Sequence, residues 1–286
     1  MGPRTSCLSE RRLALKKESL IALAAPLIIG LAFTVCAPAA TAATTPRKTS
    51  IVVGADTTFP PFETEKNGEV TGFDIDMIKE IAKAEGLKVS IKTMPFNGII
   101  PSLQAGSVDA AVAGITILAS RMKNVDFSDA YYRSGLSVLV KKGSGIKRFA
   151  DLKGHVVATK KATSSVDYML KHGIPASHIK QFQNIDSAYQ ALVTGGADAV
   201  VFDNPVNVNF KNMHKGVEVV GNLLTGEYYG IAVSKKEAWL VDTLNSGLAK
   251  IKANGEYKRL FVKFFGGDMS GVVNEVKKPS AVAVSD

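Results

Sequence analysis

The sequence contains almost no cysteine, and both of its cysteines lie near the N-terminus. Cys7 and Cys36 precede residue 44, so residues 44–286 can form neither a disulfide nor a cysteine metal site. The four histidines show no metal-ligand spacing, and neither a P-loop nor a Ser/His/Asp motif is present. We therefore expect no metal, no cofactor and no catalytic residue, and an enzyme is disfavoured.

The chain also lacks a basic stripe of the kind that binds nucleic acid. Its formal net charge is +9, but the first 43 residues, with five basic and two acidic side chains, supply +3 of it. The remaining +6 is spread over scattered lysines. A mildly basic solvated surface is the simpler interpretation, and nucleic acid is not an expected partner.

Long hydrophobic runs are missing except at the N-terminal end. A basic start is followed by the apolar run 20–40 and by small residues up to Ala43. This order is typical of a secretory signal peptide over residues 1–43, with cleavage near Ala43 or, as a second choice, Ala39. An exported chain without disulfides fits the bacterial periplasm. An uncleaved membrane anchor or a lipid anchor remains the alternative.

The rest of the chain alternates short apolar strands with amphipathic helices, without repeats or a long linker. This alternation predicts an α/β fold with helices on both faces of its sheets. Strands are predicted over 50–53, 88–93, 110–113, 137–140, 155–158, 181–182, 199–202, 217–220 and 230–233, and helices over 73–84, 98–105, 165–171, 187–193, 237–253 and 256–265.

The order of these elements indicates two α/β lobes joined by a two-strand hinge. Residues 136–142 lead into a second unit and residues 228–235 lead back, so the second unit is inserted in the first. Such a hinge permits closure around a ligand without unfolding either lobe. The predicted boundaries are lobe 1 over 48–138 and 230–267, lobe 2 over 139–229, and a loose C-terminal tail over 268–286.

Two segments about 80 residues apart carry the groups that suggest binding. Residues 113–121 place glycine, threonine and Arg121 after one apolar strand, and residues 198–205 place Asp203 after another. A guanidinium fork suits a carboxylate, and a buried ammonium needs an opposite charge. Together they could hold both charged ends of an α-amino acid. The alternatives are a surface arginine and, for Asp203, a helix N-cap.

Seven segments match one known family in order and spacing. They are GADTTFPPFE (54–63), TGFDID (71–76), FNGIIPSLQ (96–104), AGITI (113–117), VDFSDAYYRSG (125–135), SVDY (165–168) and GEYKRL (255–260). With them the chain resembles, over about residues 50–267, the periplasmic solute-binding proteins of polar-amino-acid ABC transporters, and most of all their glutamine-binding members. The resemblance implies the two-lobed type II fold of that family.

The resemblance implies roles for individual residues. Arg121, helped by the N–H groups of Thr116 and Ser164, would take the ligand carboxylate. Asp203, with the Gly114 carbonyl and the Thr116 hydroxyl, would take the α-ammonium. The remaining expected contacts are Phe59 and Phe96 as flanking rings, Thr163 and Phe202 beside the charged groups, and Asp56 and Lys160 at the ligand side chain.

Asp56 and Lys160 bear on specificity. An aspartate accepts from the NH₂ of a primary amide and a lysine donates to its carbonyl, so the pair favours glutamine. Instead of contacting a ligand, Lys160 could be an exposed surface lysine. Phe59 and Phe96 could likewise be core residues rather than walls of the cleft. The chain departs from the glutamine pattern at Phe202, where a histidine is common, and at Ala162-Thr163-Ser164 in place of Gly-Thr-Gly. Asparagine and histidine therefore remain open as ligands.

The resemblance implies a monomeric carrier that docks on a membrane permease. Two other classes stay open. A periplasmic dehydratase would need a general acid or base in the pocket. A membrane-attached sensor would need an intact anchor or a further domain.

Overall fold

The computed structural model describes residues 48–285. The predicted signal peptide, its cleavage site and Cys36 lie outside the described residues. Strands and helices alternate along the described part, as the α/β prediction requires. Within residues 48–285, no helix has both the length and the apolar character needed to cross a membrane.

The first lobe is built on a five-stranded mixed sheet. The strand Ser50–Ala55, which lies next to an edge strand of this sheet, pairs in parallel with a strand on each side, in register Val53↔Ala110 on one of them. Ile51, Val53 and Ala55 are buried because helices cover the sheet. The strand order is Lys88–Thr93, Ser50–Ala55, Ala110–Ala111, Ala232–Val233 and Asp126–Phe127, and the last two pairings are antiparallel.

The helices of this lobe form because apolar residues recur every three or four positions. In Phe73–Ala84 the buried side chains include Ile75, Ile78 and Ile81, which face the helix Trp239–Ala253. Gly247 allows this close approach, since a Cβ atom there would lie 2.8 Å from the Ile81 carbonyl oxygen. The remaining elements are helices Ile99–Ala105, Ala119–Met122 and Glu256–Phe265 and the 3-10 turns Phe96–Gly98 and Lys235–Glu237.

The second lobe repeats the plan with another five-stranded sheet. Its order is Ile179–Phe182, Val157–Lys160, Ala199–Asp203, Leu136–Lys141 and Val217–Val220, with the first two pairings parallel and the others antiparallel. Its helices are Ser164–Lys171, Ile185–Thr194 and Asn204–Met213, and its 3-10 turns are Phe149–Leu152 and Ala176–His178. The helix Asn204–Met213 was not expected from the sequence.

The chain crosses between the two sheets on a pair of antiparallel strands, Tyr132–Ser134 and Glu227–Tyr229. The whole strand Leu136–Lys141 belongs to the second sheet. The chain therefore passes from the first lobe to the second near Gly135, whereas the predicted lobe boundary lies between residues 138 and 139. A small sheet of Thr58–Phe59, Glu63–Lys66 and Glu69–Thr71, also not expected, lies in the first lobe.

A cluster of aromatic rings packs behind the crossing strands. The Tyr132 ring stacks on Tyr229 at a centroid distance of 5.5 Å and on Phe261 at 5.5 Å. Phe62 meets Tyr132 edge to face at 4.8 Å. Each such pair contributes about 0.5–1.5 kcal/mol beyond the area that it buries. The cluster therefore fixes the crossing strands to the helix Glu256–Phe265.

The C-terminal tail is not loose, and this expectation was wrong. The N–H of Arg133 donates to the Gly271 carbonyl at 2.8 Å, and the N–H of Ala130 donates to Lys277 at 2.9 Å. Further on, Val284 forms a parallel bridge with Leu118. The tail also contains a short helix, Pro279–Val282. The sequence shows no clear period over the tail because most of it is held by backbone hydrogen bonds to other segments, and such bonds leave no periodic pattern.

Candidate functional site

The charged side chains meet at the carboxyl ends of strands, where ligands of α/β sheets bind. Asp56 directly follows Ser50–Ala55, while Lys160 and Asp203 are the last residues of their strands. The structure brings ten of the eleven predicted site residues around one cavity, and Asp56 lies behind it. The lining is Phe59, Phe96, Ala113, Gly114, Thr116, Arg121, Lys160, Thr163, Ser164, Phe202 and Asp203. Their roles toward a ligand stay predictions.

The lobes are closed over this cavity, which has a volume of only about 10 Å³. An amino acid therefore enters only if the lobes move apart. A larger cavity of about 550 Å³ lies beside the crossing strands, but its charged lining residues, Arg133 and Asp268, are exposed. We place the site at the smaller cavity because buried charges converge there.

Arg121 links the two lobes at one end of the cavity. Its guanidinium donates to the carbonyl oxygens of Thr116 at 2.9 Å and of Ala162 at 3.0 Å. The side chain is only 9% exposed, and its charge lies 5.3 Å from the centre of the Phe96 ring. A surface arginine would show neither feature, so Arg121 is part of the cleft.

Ala162 has a left-handed backbone, with φ of 60°. This conformation costs a non-glycine residue about 1–2 kcal/mol, which explains why glycine is common here in proteins of this pattern. The next residues begin the helix Ser164–Lys171, and its first residue, Ser164, lines the cavity together with Arg121. A helix N-terminus and a guanidinium both favour a carboxylate.

Asp56 and Lys160 form a buried ion pair across the cleft. Lys160 Nζ lies 2.7 Å from Asp56 Oδ2, and the two side chains are 1% and 3% exposed. Lys160 also donates to Thr58 Oγ1 at 3.0 Å. An exposed lysine is therefore the wrong interpretation for residue 160. Thr58 was missed from the sequence, although it stands only two residues after Asp56.

The carboxylate of Asp56 is fully engaged. Oδ1 accepts from the N–H and the hydroxyl of Thr58 at 2.9 and 2.7 Å, and Oδ2 accepts from the Phe96 N–H at 2.8 Å and from Lys160. These bonds use the four acceptor positions of a carboxylate. A direct bond from a ligand amide to Asp56, which the sequence suggested, would have to displace one of them.

Phe59 and Phe202 close the cavity with apolar surface. Their rings meet edge to face at 5.7 Å, one from each lobe. Gly114 is required beneath Phe59, because a Cβ atom there would lie 2.2 Å from the Phe59 ring, and its φ of 52° is left-handed. Phe202 is fully buried and so takes up volume at the position where a histidine is common.

Asp203 occupies the N-cap position of Asn204–Met213 but makes no capping hydrogen bond. Its Oδ1 instead accepts from the hydroxyl of Tyr229, which comes from the crossing strand. Burial, together with the charge of nearby Glu227, raises the pKa of Asp203 to about 7. The side chain is thus bonded to the crossing strand rather than to the helix, and the charge of Arg121 also acts on it.

A pair of buried carboxyl groups lies behind Gly114. Asp74 Oδ2 accepts from the Tyr131 hydroxyl at 2.6 Å and from the Gly114 N–H at 3.0 Å, and Glu63 faces it. Burial, together with the charge of Asp74, raises the pKa of Glu63 well above its usual range, and burial also raises that of Asp74. Through its bond to the Gly114 N–H, Asp74 supports the backbone of the binding loop.

Glu227 is the main site residue that the sequence did not reveal. Its carboxylate, 1% exposed, accepts from the hydroxyls of Thr116 at 2.9 Å, Ser164 at 3.0 Å and Thr225 at 2.9 Å. Thr116 belongs to the first lobe and Ser164 to the second. The signal available in the sequence for this residue was an acidic side chain between a glycine and two tyrosines, on the strand that leads back to the first lobe.

Comparisons with known proteins identify the family of this chain. Residues 51–267 match the family described as "Bacterial extracellular solute-binding proteins, family 3". The chain belongs to this family. It is similar to the ABC transporter glutamine-binding protein GlnH of Bacillus subtilis, with 38% identity over 76% of this chain and 80% of the relative. A probable histidine-binding protein of Neisseria gonorrhoeae is 35% identical over 74% and 82%.

Solved structures give the same fold with more than one ligand. An ancestral arginine-binding protein, solved with arginine and with glutamine, is 42% identical over 77% of this chain and 99% of its own, with a TM-score of 0.72. The arginine-, lysine-, histidine-binding protein ArtJ of Geobacillus stearothermophilus is 34% identical, over 77% and 96%, with a TM-score of 0.73. The type II two-lobed fold is thereby confirmed, whereas the ligands of these relatives differ.

Proposed function

We propose that this protein is the periplasmic binding component of an ABC importer and that it captures L-glutamine by closure of its lobes. The observation that carries the proposal is the buried Asp56–Lys160 ion pair, at a cavity that is also lined by Arg121 and Asp203, the charges that suit an amino-acid backbone. The relatives named above bind amino acids or belong to ABC transporters, which supports the carrier role.

The two charged ends of the amino acid are matched by Arg121 and Asp203. The guanidinium and the first N–H groups of Ser164–Lys171 attract the carboxylate. Asp203 attracts the α-ammonium, and the pairing restores the ionised form of a carboxyl that burial otherwise protonates near neutral pH. Closure removes water from both pairs and so strengthens them.

The side-chain end selects for a neutral amide. A cationic side chain such as that of arginine would meet the buried ammonium of Lys160, and an acidic side chain would meet Asp56. A lysine carries three N–H donors, of which two are directed at Asp56 and Thr58. The third can donate to an amide carbonyl, while Asp56 holds Lys160 in place.

The closed form would then dock on a membrane permease and release its ligand there. The free energy for closure comes from contacts that the ligand makes only when both lobes surround it. The aromatic contact between Phe59 and Phe202 adds to closure without selecting among ligands.

The test is calorimetry on residues 44–286, unfolded and refolded to remove carried-over ligand, against all twenty amino acids. We expect glutamine to bind tightest, with asparagine, histidine and arginine clearly weaker. Tighter binding of arginine or histidine would overturn the amide argument and keep the carrier role. Binding of none of them would overturn the carrier role itself.

A further inference from the structure

Glu227 lies where the two lobes and the ammonium end of the cavity meet. It stands on the crossing strand Glu227–Tyr229, and Oε2 accepts from Thr116 at 2.9 Å and from Ser164 at 3.0 Å. Oε1 accepts from Thr225 at 2.9 Å. Among residues 48–285, no lysine or arginine forms an ion pair with Glu227. A buried carboxylate held only by hydroxyls is costly and points to a role.

The hydroxyl of Thr116 carries a single proton. A hydroxyl is one donor and two acceptors, and its proton turns toward the best acceptor nearby. Because the Thr116 proton is directed at Glu227, the lone pairs of Thr116 Oγ1 are left for another donor. In the proposed binding mode that donor is the ligand α-ammonium.

We infer that Glu227 is a positioning residue, which sets the Thr116 hydroxyl as an acceptor for the α-ammonium and adds a second negative charge beside it. The inference rests on the proposed function. Asp203 contacts the ammonium directly, whereas Glu227 acts through Thr116. In this closed structure its carboxylate bonds Thr116 of the first lobe and Ser164 of the second, so Glu227 also couples ammonium recognition to closure.

The geometry makes this role specific to the backbone end of the ligand. Glu227 bonds hydroxyls on both lobes beside Arg121 and Asp203. The Asp56–Lys160 pair is bonded to Thr58 and Phe96 instead. Loss of Glu227 should therefore weaken binding of any α-amino acid that the site accepts. It should leave the ranking of side chains unchanged.

The test is a double-mutant cycle on residues 44–286 with Glu227→Gln and Thr116→Val, measured with glutamine. We expect Glu227→Gln alone to weaken binding about 10- to 100-fold, because it removes a charge-assisted bond that orients the hydroxyl. In the Thr116→Val background the same change should cost less than about threefold, because the hydroxyl is already gone. Melting-temperature shifts with glutamine extend the measurement to millimolar affinities.

Additive effects of the two substitutions, or wild-type affinity of Glu227→Gln, would overturn the inference. The control variant is Glu218→Gln, on the strand Val217–Val220 away from the cavity, which should bind as the wild type does. The far-ultraviolet spectrum of each variant reports folding separately. If the wild type itself bound no amino acid, the proposed function would fail, so the two failures are distinguishable.

Discussion

At the scale of single residues, burial decides which charges matter in the cleft. Lys160 is one of many lysines in the sequence, yet it is 1% exposed and paired with Asp56. Asp203 is likewise buried; it accepts a hydrogen bond from Tyr229, and the charge of Arg121 also acts on it. The Asp56–Lys160 pair is complete without a ligand, whereas in the proposed binding mode Asp203 pairs with the ligand ammonium.

The raised pKa of Asp203 predicts that amino-acid binding releases a proton. In the closed cleft the carboxyl has a pKa of about 7, so below that pH it is largely protonated and must ionise to pair with an ammonium. Affinity should rise about tenfold from pH 6 to pH 8 and level off above. Calorimetry in two buffers of different ionisation enthalpy measures the proton count. The Asp203→Asn variant should lose both the proton release and the pH dependence, and a pH-independent wild type would contradict the assignment.

At the scale of elements, the C-terminal segment of residues 279–285 packs along the binding segment, and we call it the C-terminal strap. Val284 donates to the Ile117 carbonyl at 3.0 Å and accepts from the Ala119 N–H at 3.0 Å, directly beside the segment that carries Thr116 and Arg121. The carbonyl of Ser285 accepts from Lys171 of the second lobe at 3.4 Å. The strap therefore joins the binding segment of one lobe to a helix of the other.

Removal of the strap should destabilise the protein. A chain that ends at residue 278 loses the two backbone hydrogen bonds of Val284, and we expect its free energy of unfolding to fall by about 1–3 kcal/mol. Urea titration of residues 44–278 against residues 44–286 measures the change. A chain that ends at residue 285 keeps the bridge and serves as the control. Equal stability of the shortest and longest chains would show that the strap contributes nothing.

At the scale of the whole molecule, buried carboxyls make stability depend on pH. The pKa values of Glu63, Asp74 and Asp203 are all raised, so the folded state holds protons that the unfolded chain has lost. Their contribution to stability is fully present below the usual carboxyl pKa and is lost as pH rises through the folded pKa values. Each of these carboxyls therefore favours folding at mildly acidic pH.

The Glu63→Gln variant tests this dependence. The amide keeps the shape of the side chain but cannot ionise, so its stability should fall less between pH 5 and pH 8 than that of the wild type, by on the order of 2 kcal/mol. Thermal or urea unfolding over that range provides the comparison. Glu275→Gln, at an exposed position, should follow the wild type. Parallel profiles for Glu63→Gln and the wild type would mean that Glu63 is already ionised.

The α/β class and most of the elements are predictable from the sequence. The helices Phe73–Ala84 and Glu256–Phe265 and the strands Lys88–Thr93 and Val217–Val220 have the predicted bounds, because local hydrophobic periodicity and glycine stops encode them. The charged residues at strand ends were also predictable, since the carboxyl ends of such strands share one edge.

Which of these groups contact one another is not predictable from the sequence, because it depends on how distant segments pack. Glu227 bonds Thr116 and Ser164, which stand 111 and 63 residues away in the chain, and no local pattern encodes such a contact. The same holds for the fully engaged carboxylate of Asp56 and for the tail at Val284. These features depend on hydrogen bonds between distant segments, which form only after both sheets and the crossing strands have brought the segments together.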